Sequence, residues 1–345
     1  MKVLQVIDSL QIGGAEKIVI QISNLLNRSG ITVELVVVYS DGILRESLDT
    51  NIPVHFLFRK SRIDFVAAKK LAVLAREFDL IHVHMRHNYR YVALIKKLFP
   101  FKSKLILHDH FGSIEIDKSV PKGLKTLMKP TFYIGVSKAL TNWAKKDLNL
   151  SPEKVFLLEN TIHFVAAKKE YPLGNLVLVS NIKPIKNQLF ALELLAQTNK
   201  KLTIFGAVQD RSYWNQVKAS VEEKKLENRV NIIHDCTEVQ PLLPSFQLGI
   251  NTSVSESGPL VLLEFLAHGL PFLAYKTGAI SRKLNTEFPE YFVDHFDVSI
   301  WQAKIMDLLT KKPDQEKMHA VFKKYFSEDQ YLKRCLKIYK QVKSY

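Results

Sequence analysis

Short apolar segments alternate with amphipathic helical segments along nearly the whole chain of 345 residues. The first series of apolar segments begins with residues 3–7 and ends with residues 155–158. After residues 166–174, which carry charges, a proline and a glycine, the alternation starts again at residue 176. Strands that alternate with helices form parallel sheets, which helices cover on both faces. The sequence therefore predicts an α/β protein with two doubly wound parallel sheets.

The restart divides the chain into two parts, and a chain of this length can bury two separate hydrophobic cores. We predict an N-terminal domain at residues 1–167 and a C-terminal domain at residues 168–326. Residues 327–345 carry apolar side chains at helical spacing, which predicts a last helix with one apolar face. Ligands of doubly wound sheets bind beyond the carboxyl ends of the strands, so we expect the functional site in a cleft between the domains.

The composition is that of a soluble globular protein, with 47% hydrophobic and 24% charged residues. The sequence has no apolar run long enough for a membrane-spanning helix, and its start lacks the apolar core of a signal peptide. The two cysteines, Cys236 and Cys335, are far apart and do not have the spacing of metal ligands. These features favour a reducing, cytoplasmic location.

The net charge of +15 is unevenly distributed, with 19 lysines and arginines but only 6 acidic residues between Arg59 and Lys146. Residues 118–129 place lysines at helical spacing, which predicts a short basic amphipathic helix. Such a helix suits the inner, anionic surface of a cell membrane, and we expect peripheral contact there. The alternative is a helix on its own domain with its lysines in water. The basic stretch has no recognisable nucleic-acid-binding motif, so nucleic acid is not an expected partner.

Residues 251–274, NTSVSESGPLVLLEFLAHGLPFLA, have the pattern of a strand end, a loop, a short helix, a turn and a strand. Pro259 suits the first helical turn, where its missing N–H costs nothing, and Gly269 suits the helix end. Between them every residue except Glu264 and His268 is apolar, which predicts a helix buried nearly all round. A carboxylate in such a helix is costly unless something hydrogen-bonds to it.

These parts suit a bound sugar nucleotide, although a capped or paired buried glutamate is the alternative. The N–H groups at the helix start can hold a diphosphate with the help of the helix dipole. Glu264 can accept hydrogen bonds from both vicinal hydroxyls of a ribose, and Glu256 can reach hydroxyls of the transferred sugar. The expected N–H donors to the diphosphate are Gly258, Leu260 and Val261.

The segment ESGPLVLLE resembles the E-x7-E motif of retaining nucleotide-sugar glycosyltransferases, and the GLP that follows is typical of family 4. The resemblance covers nearly the whole chain. It implies the GT-B architecture, in which two Rossmann-like domains face each other across a cleft. The acceptor binds to the first domain, the donor binds to the second, and the last helix crosses back to the first. It also implies sugar transfer with retention of configuration, without a bound metal or another cofactor.

Three further segments resemble the same family. In SLQIGGAE, Gly13 and Gly14 form a strand–helix turn on the acceptor side. In LVSNIKPIKN, Lys186 can offer a cation to the diphosphate, whereas Asn181 replaces the arginine that the family usually has. In LLENTIH, Asn160 matches a donor-side asparagine.

Four histidines, His82, His84, His108 and His110, end two predicted strands. LILHDHFG resembles the family's strand-end histidine motif, which implies that His108 contacts the transferred sugar. His84 is expected on the acceptor side. The two H-x-H pairs also have the spacing of metal ligands, so a metal-dependent hydrolase that uses all four histidines is an alternative. A non-catalytic GT-B protein that binds a nucleotide sugar is another.

The favoured hypothesis is a retaining hexosyltransferase of family 4 type. It transfers a sugar from a nucleoside-diphosphate sugar to a glycan or lipid-linked acceptor in the synthesis of bacterial surface polysaccharide. The predicted catalytic residues are Glu256, His108 and Lys186. The predicted donor-binding residues are Gly258, Leu260, Val261, Glu264, Asn181 and Asn160. The predicted acceptor-side residues are Gly13, Gly14 and His84.

Overall fold

The computed structural model describes residues 1–61, 64–167, 174–234 and 236–345. The chain forms two compact units: unit 1 consists of Met1–Thr161 and Glu328–Tyr345, and unit 2 consists of Ile162–Ser327. Most of the predicted linker at residues 166–174 lies outside the described residues, as does the start of the second predicted domain. The assignment of the two units to acceptor and donor stays a prediction.

Unit 1 contains a seven-stranded parallel sheet. Its strands are β1 (Lys2–Ser9), β2 (Thr32–Ser40), β3 (Val54–Phe56), β4 (Leu80–His84), β5 (Lys104–Asp109), β6 (Phe132–Gly135) and β7 (Val155–Leu157). The helices that connect them are α1 (Gly14–Arg28), α2 (Phe65–Ala75), α3 (Arg86–Leu98) and α4 (Lys138–Lys146). The strand order is β3-β2-β1-β4-β5-β6-β7, so the winding direction reverses between β1 and β4.

Local sequence explains where two of these helices begin and why the central strands are apolar. The Asp64 carboxylate caps α2 by accepting a hydrogen bond from the Ala67 amide at 3.0 Å. The Ser137 hydroxyl caps α4 by accepting from the Leu140 amide at 3.2 Å. Every residue of β4 is buried, as expected for a strand that helices cover on both sides.

Unit 2 repeats this organisation with a six-stranded parallel sheet. Its strands are β8 (Leu176–Val179), β9 (Leu202–Phe205), β10 (Val230–Ile233), β11 (Leu248–Asn251), β12 (Phe272–Tyr275) and β13 (Phe292–Val293). Its helices are α5 (Gln188–Ala196), α6 (Arg211–Glu223), α7 (Leu260–Ala267), α8 (Gly278–Leu284), α9 (Val298–Thr310) and α10 (Gln315–Phe326). The order β10-β9-β8-β11-β12-β13 reverses between β8 and β11.

The last helix, α11 (Glu328–Ser344), belongs to unit 1 although it follows unit 2 in sequence. The apolar stripe that its sequence predicts is the face that it buries, since Tyr331, Cys335, Ile338 and Val342 all lie in the unit 1 core. These side chains pack in the same cluster as residues of β1, β2 and α1. The C-terminal residues therefore complete the N-terminal core.

The predicted strands and helices are nearly all present, with ends displaced by at most three residues. The sequence reasoning missed α8 and the two-residue strand β13, which are short and carry little periodic pattern. Within the described residues, no helix combines the length and apolarity needed to cross a bilayer.

The basic helix predicted at residues 118–129 was wrong. This segment forms successive turns, and Gly123 adopts a left-handed conformation with φ of +79°. The Met128 amide donates to the Gly123 carbonyl at 2.8 Å, which closes a turn in place of a helix. Leu124 is fully buried in the unit 1 core, whereas Leu127 is 53% exposed. A glycine in the left-handed region ends helical structure, and tertiary packing of Leu124 secures the turns.

We expect Ile338→Ala in α11 to lower the stability of unit 1 by about 2–5 kcal/mol, because it leaves a cavity in a packed core. Ile338 is 5% exposed, whereas its neighbour Lys337 is exposed. Lys337→Ala is the matched control and should change stability by less than about 0.5 kcal/mol. Urea unfolding followed by tryptophan fluorescence measures both. Equal effects of the two variants would show that α11 contributes nothing to the core.

Candidate active site

Each sheet reverses its winding direction at one point, and several of the predicted site segments follow the strands that meet there. Ligands of doubly wound folds bind at such a point, beyond the carboxyl ends of the strands. In unit 2 the point lies between β8 and β11, which are hydrogen-bonded neighbours. The segment that contains Asn181 and Lys186 follows β8, and the loop that contains Glu256 and Gly258 follows β11.

The structure joins the two predicted catalytic residues of unit 2 in an ion pair. The Lys186 ammonium donates to Oε1 of Glu256, and the two side chains are 18% and 12% exposed. The backbone holds both segments in place, because the Thr252 hydroxyl donates to the Lys186 carbonyl at 3.0 Å. The Val254 amide donates to the Ile185 carbonyl at 2.9 Å. The sequence reasoning named both side chains but did not predict that they pair.

Helix α7 begins directly after this loop. Pro259 is its N-cap residue and makes no side-chain capping hydrogen bond. The first N–H groups of a helix have no acceptor within the helix, and the helix dipole makes them attractive to anions. Glu264, in the middle of α7, is 3% exposed and lies among fully buried side chains, including Leu263 and Phe265. The helix thus has the proline at its start and the buried carboxylate that its sequence predicts.

A neighbouring turn, which the sequence reasoning missed, supports the Glu256 loop. The Glu256 amide donates to the Thr277 hydroxyl at 3.3 Å, and the Ala279 amide donates to the Ser257 carbonyl at 2.9 Å. Gly278 has a φ of +82°, and a Cβ atom there would lie 3.0 Å from the Glu256 carbonyl oxygen. Only glycine adopts this conformation without strain at so close an approach. The signal in the sequence was the Thr-Gly pair that follows β12.

Asn181 lies where β8 ends, close to the backbone of the next strand. Its carbonyl accepts a hydrogen bond from Nε2 of Gln188 at 3.0 Å. The Ile182 amide donates to the Ala207 carbonyl at 2.8 Å, which continues the pairing beyond the strands. A Cβ atom on Gly206 would lie 1.9 Å from the Ser180 carbonyl oxygen, so this approach requires glycine.

In unit 1, the reversal point lies between β1 and β4. Gly13, which follows β1, is the N-cap residue of α1, and Gly14 is the first helical residue. Gly13 has an extended backbone with φ of −164°, and the Lys17 amide donates to its carbonyl at 3.0 Å. Asn160, which follows β7, is buried. The predicted roles of these residues stay predictions.

The histidines at the ends of β4 and β5 form one buried cluster. The parallel register places His84 opposite His108. The ring centroids of His82 and His84 are 4.5 Å apart, and each lies 5.0 Å from that of His108. These three side chains have no exposed surface, whereas His110 is partly exposed. The carboxyl ends of β4 and β5 therefore adjoin.

A hydrogen-bond network surrounds this cluster. Nδ1 of His82 lies 2.6 Å from the Tyr339 hydroxyl of α11. Nε2 of His84 lies 2.9 Å from Oε1 of Gln5, and Nε2 of Gln5 donates to the Tyr339 hydroxyl at 3.2 Å. Nδ1 of His84 lies 3.0 Å from Nε2 of His110. Strands β1, β4 and β5 and helix α11 therefore meet at this network.

Burial keeps these histidines neutral. Desolvation lowers the pKa of His82 to about 3 and that of His110 to about 3. Desolvation also lowers the pKa values of His84 and His108 well below the usual histidine value. A charged imidazolium in this apolar setting would lose its hydration, so all four rings are neutral at physiological pH.

A buried ion pair, which the sequence reasoning also missed, holds the strand end between His108 and His110. Nε of Arg86 donates to Oδ2 of Asp109 at 2.7 Å, and the Tyr133 hydroxyl donates to the same oxygen at 2.7 Å. The guanidinium carbon of Arg86 lies 3.8 Å from the ring centroid of Trp143. Breaking such a pair costs about 3–5 kcal/mol, since it leaves a buried charge without compensation. Asp109, a charged residue at the end of the apolar strand β5, is the sequence feature that could have indicated this ion pair.

Two family models together match most of the chain. The family described as "Glycosyltransferase Family 4" matches residues 12–164, and the one described as "Glycosyl transferases group 1" matches residues 165–325. Among characterised proteins, N-acetyl-alpha-D-glucosaminyl L-malate synthase of Bacillus anthracis is 25% identical over 279 residues. That alignment covers 73% of this chain and 70% of the relative.

Solved structures resemble the chain over its whole length. The Anabaena protein HepE, in complex with UDP-glucose, has a TM-score of 0.82 at 17% identity, and the match covers 100% of both chains. A glycosyltransferase from Rickettsia africae has a TM-score of 0.77 at 19% identity, covering 99% of this chain and 98% of that one. At these identities the likeness concerns the fold, and it confirms the expected GT-B class of two Rossmann-like domains.

Proposed function

Because the chain belongs to glycosyltransferase family 4, we propose that it transfers a sugar from a nucleoside-diphosphate sugar to a glycan or lipid-linked acceptor. The observation that carries this proposal is in unit 2. There the Lys186–Glu256 pair lies at the reversal point of the sheet, and the N-terminus of α7 follows in the same loop. The lysine charge and the positive end of the helix dipole suit a diphosphate, and the neighbouring carboxylates suit hydroxyl groups.

The ion pair suggests how donor binding proceeds. A diphosphate carries more negative charge than Glu256, so it can take over the Lys186 ammonium. Glu256 is then released and can accept hydrogen bonds from hydroxyls of the transferred sugar. Glu264, which is buried in α7, accepts from the vicinal hydroxyls of the ribose. Donor binding therefore rearranges two side chains that are already in place.

In the proposed transfer step, the bond between the anomeric carbon and the diphosphate breaks, the oxygen of the acceptor hydroxyl forms the new bond, and its proton passes to the departing diphosphate. Lys186 and the amides of Leu260 and Val261 stabilise the charge that develops on the departing diphosphate, because they are oriented before reaction. We propose retention of configuration, as in enzymes with the E-x7-E motif. This positive charge comes from the protein, so the proposed reaction uses no metal or other cofactor.

A histidine at the end of β5 is proposed to contact the transferred sugar. The sequence placed this role on His108, but the His108 side chain has no exposed surface. His110, two residues further along, is partly exposed and follows the strand. We therefore assign the sugar contact to His110, with Asp109 and Arg86 as the pair that holds the strand end.

The acceptor is proposed to bind to unit 1, in the synthesis of a bacterial surface polysaccharide at the inner face of the membrane. The exposed face of α2 supports peripheral membrane contact. Phe65, Val66 and Val73 are 63%, 82% and 53% exposed, and Lys69 lies on the same face. Apolar side chains beside lysines suit an anionic bilayer surface. This face has the character that the sequence assigned to residues 118–129.

The structure supports a metal-dependent hydrolase that uses the four histidines less well than it supports a glycosyltransferase. A catalytic metal needs an open coordination position that a substrate can reach. His82, His84 and His108 have no exposed surface. A non-catalytic protein that binds a nucleotide sugar is distinguished by the transfer assays below.

We expect Glu264→Ala to lower kcat/KM for the donor at least about a hundredfold. Two hydrogen bonds to a charged acceptor are worth about 1.5–3 kcal/mol each. The loss should appear mainly in the donor KM, because the ribose is held equally before and during reaction. Glu193→Ala, an exposed glutamate on α5, is the control and should leave transfer unchanged. Unimpaired transfer by folded Glu264→Ala protein removes the assignment.

Lys186 and Glu256 should respond differently to substitution. We expect Lys186→Met to lower kcat about a hundredfold and to abolish the rise in thermal midpoint that a nucleoside-diphosphate sugar causes. Glu256→Gln should bind the free nucleoside diphosphate at least as tightly as the wild type, because Lys186 no longer needs to exchange partners. Transfer by this variant should nevertheless be lost.

A thermal-shift assay with UDP-, GDP- and ADP-sugars measures donor binding by each variant. Sugar transfer is then measured with the donor that raises the thermal midpoint of the wild type. Lys311→Met is the matched control, since Lys311 pairs with Asp307 at 2.7 Å at the end of α9. A normal donor-induced shift in Lys186→Met would contradict the diphosphate contact.

Membrane contact is tested by sedimentation with vesicles. We expect binding to phosphatidylglycerol-containing vesicles and little binding to phosphatidylcholine alone, with affinity falling as salt rises. The double variant Phe65→Ser, Val66→Ser should bind about tenfold more weakly, because two apolar side chains no longer enter the bilayer. Ile300→Ser, which changes an apolar residue 45% exposed in unit 2, is the control. Unchanged binding by the double variant would show that α2 is not the contact surface.

A further inference from the structure

The histidine triad, His82, His84 and His108, contains buried nitrogen atoms that the fold leaves without partners. Neither ring nitrogen of His108 has a hydrogen-bond partner among the described residues. Nε2 of His82 likewise has none within the described ranges. Buried polar atoms are nearly always satisfied by protein, ordered water or an ion. These unpartnered nitrogens therefore indicate that something else binds here.

The geometry of the triad suits a metal ion. Each of the three residues offers one ligand nitrogen, and these nitrogens all lie within 4.8 Å of one another. The three ring centroids form a triangle with sides of 4.5, 5.0 and 5.0 Å. Neutral imidazole is the preferred nitrogen ligand of zinc and its neighbours among the divalent transition metals.

The surrounding hydrogen bonds leave one ring nitrogen of His84 and one of His82 available to bind a metal ion. Oε1 of Gln5 can only accept, so Nε2 of His84 carries the proton and Nδ1 of His84 carries a lone pair. Nδ1 of His82 is held by the Tyr339 hydroxyl, which leaves its Nε2 as the ligand atom. Histidines that bind metals usually donate their other N–H to such an oxygen, which fixes the tautomer and the ring orientation. Gln5 and Tyr339 are in this position.

We propose that His82, His84 and His108 bind one divalent transition metal ion, with zinc as the expected ion and with Gln5 and Tyr339 as the outer partners. Nδ1 of His84 gives up its hydrogen bond with His110 to bind the metal. The ion connects β4, β5 and, through Tyr339, helix α11, so its role is to stabilise unit 1. This proposal rests on unit 1 alone and is independent of the donor chemistry proposed for unit 2.

The test is metal binding by the full chain, freed of metal by chelator and of any histidine tag. The probes are Zn²⁺ and Co²⁺ alone, followed by calorimetry, by the visible absorption of Co²⁺, and by the thermal midpoint of unfolding. We expect one ion per chain and a midpoint that rises with metal concentration. His108→Phe should abolish this binding. His55→Ala should retain metal binding, because it removes a half-buried histidine of β3 that pairs with Glu34 of β2, outside the triad.

A second pair of variants keeps all three ligands. Tyr339→Phe should weaken metal binding about tenfold or more while one ion still binds, because the outer partner of His82 is lost. Tyr89→Phe removes a different buried hydroxyl of unit 1, the one that accepts from the Thr131 amide, and should not change metal affinity. The proposal is overturned if the wild type binds no ion at one per chain. It is overturned equally if His108→Phe binds as the wild type does, or if the two tyrosine variants are indistinguishable.

Discussion

Parallel pairing of the strands is the constraint on which both units depend. Every neighbouring pair of named strands in the two sheets is parallel, and the central strands are buried on both faces. Parallel strands bring all their carboxyl ends to one edge of a sheet, so the segments that follow different strands meet there. Lys186 follows β8 and Glu256 follows β11, 70 positions later, yet their side chains pair. His84 and His108 meet for the same reason.

The polar groups gathered at these edges are costly to bury, and the structure compensates each in its own way. Arg86 and Asp109 form an ion pair with added hydrogen bonds, and an aromatic ring packs on the guanidinium. The histidines of β4 and β5 stay neutral because burial disfavours their charged forms. Lys186 and Glu256 are less buried and compensate each other. The proposed exchange with a diphosphate requires such a pair, whereas the Arg86–Asp109 pair is more buried and has additional hydrogen bonds.

The residues that support these groups come from segments with little sequence signal. A Cβ atom on Gly278 would lie 3.0–3.2 Å from atoms of the Glu256 loop, so this position requires glycine, and its left-handed backbone turns the chain into α8. Tyr339 reaches the histidines only because α11 returns to the core of unit 1. In both units, the residues that support these polar groups are distant from them in sequence.

The sequence by itself determined the strand–helix alternation, the two-part organisation and the character of α7, because these depend on local periodicity and on residues such as Pro259 and Gly269. It also identified Glu256, Glu264 and Lys186 as charged residues at strand ends and in an apolar helix. It was wrong at residues 118–129, where helical lysine spacing was outweighed by Gly123 and by the burial of Leu124. Only the tertiary structure decided the partners. Pairings such as Lys186 with Glu256, or His82 with Tyr339, depend on strand order and on the path of α11, which local sequence does not encode.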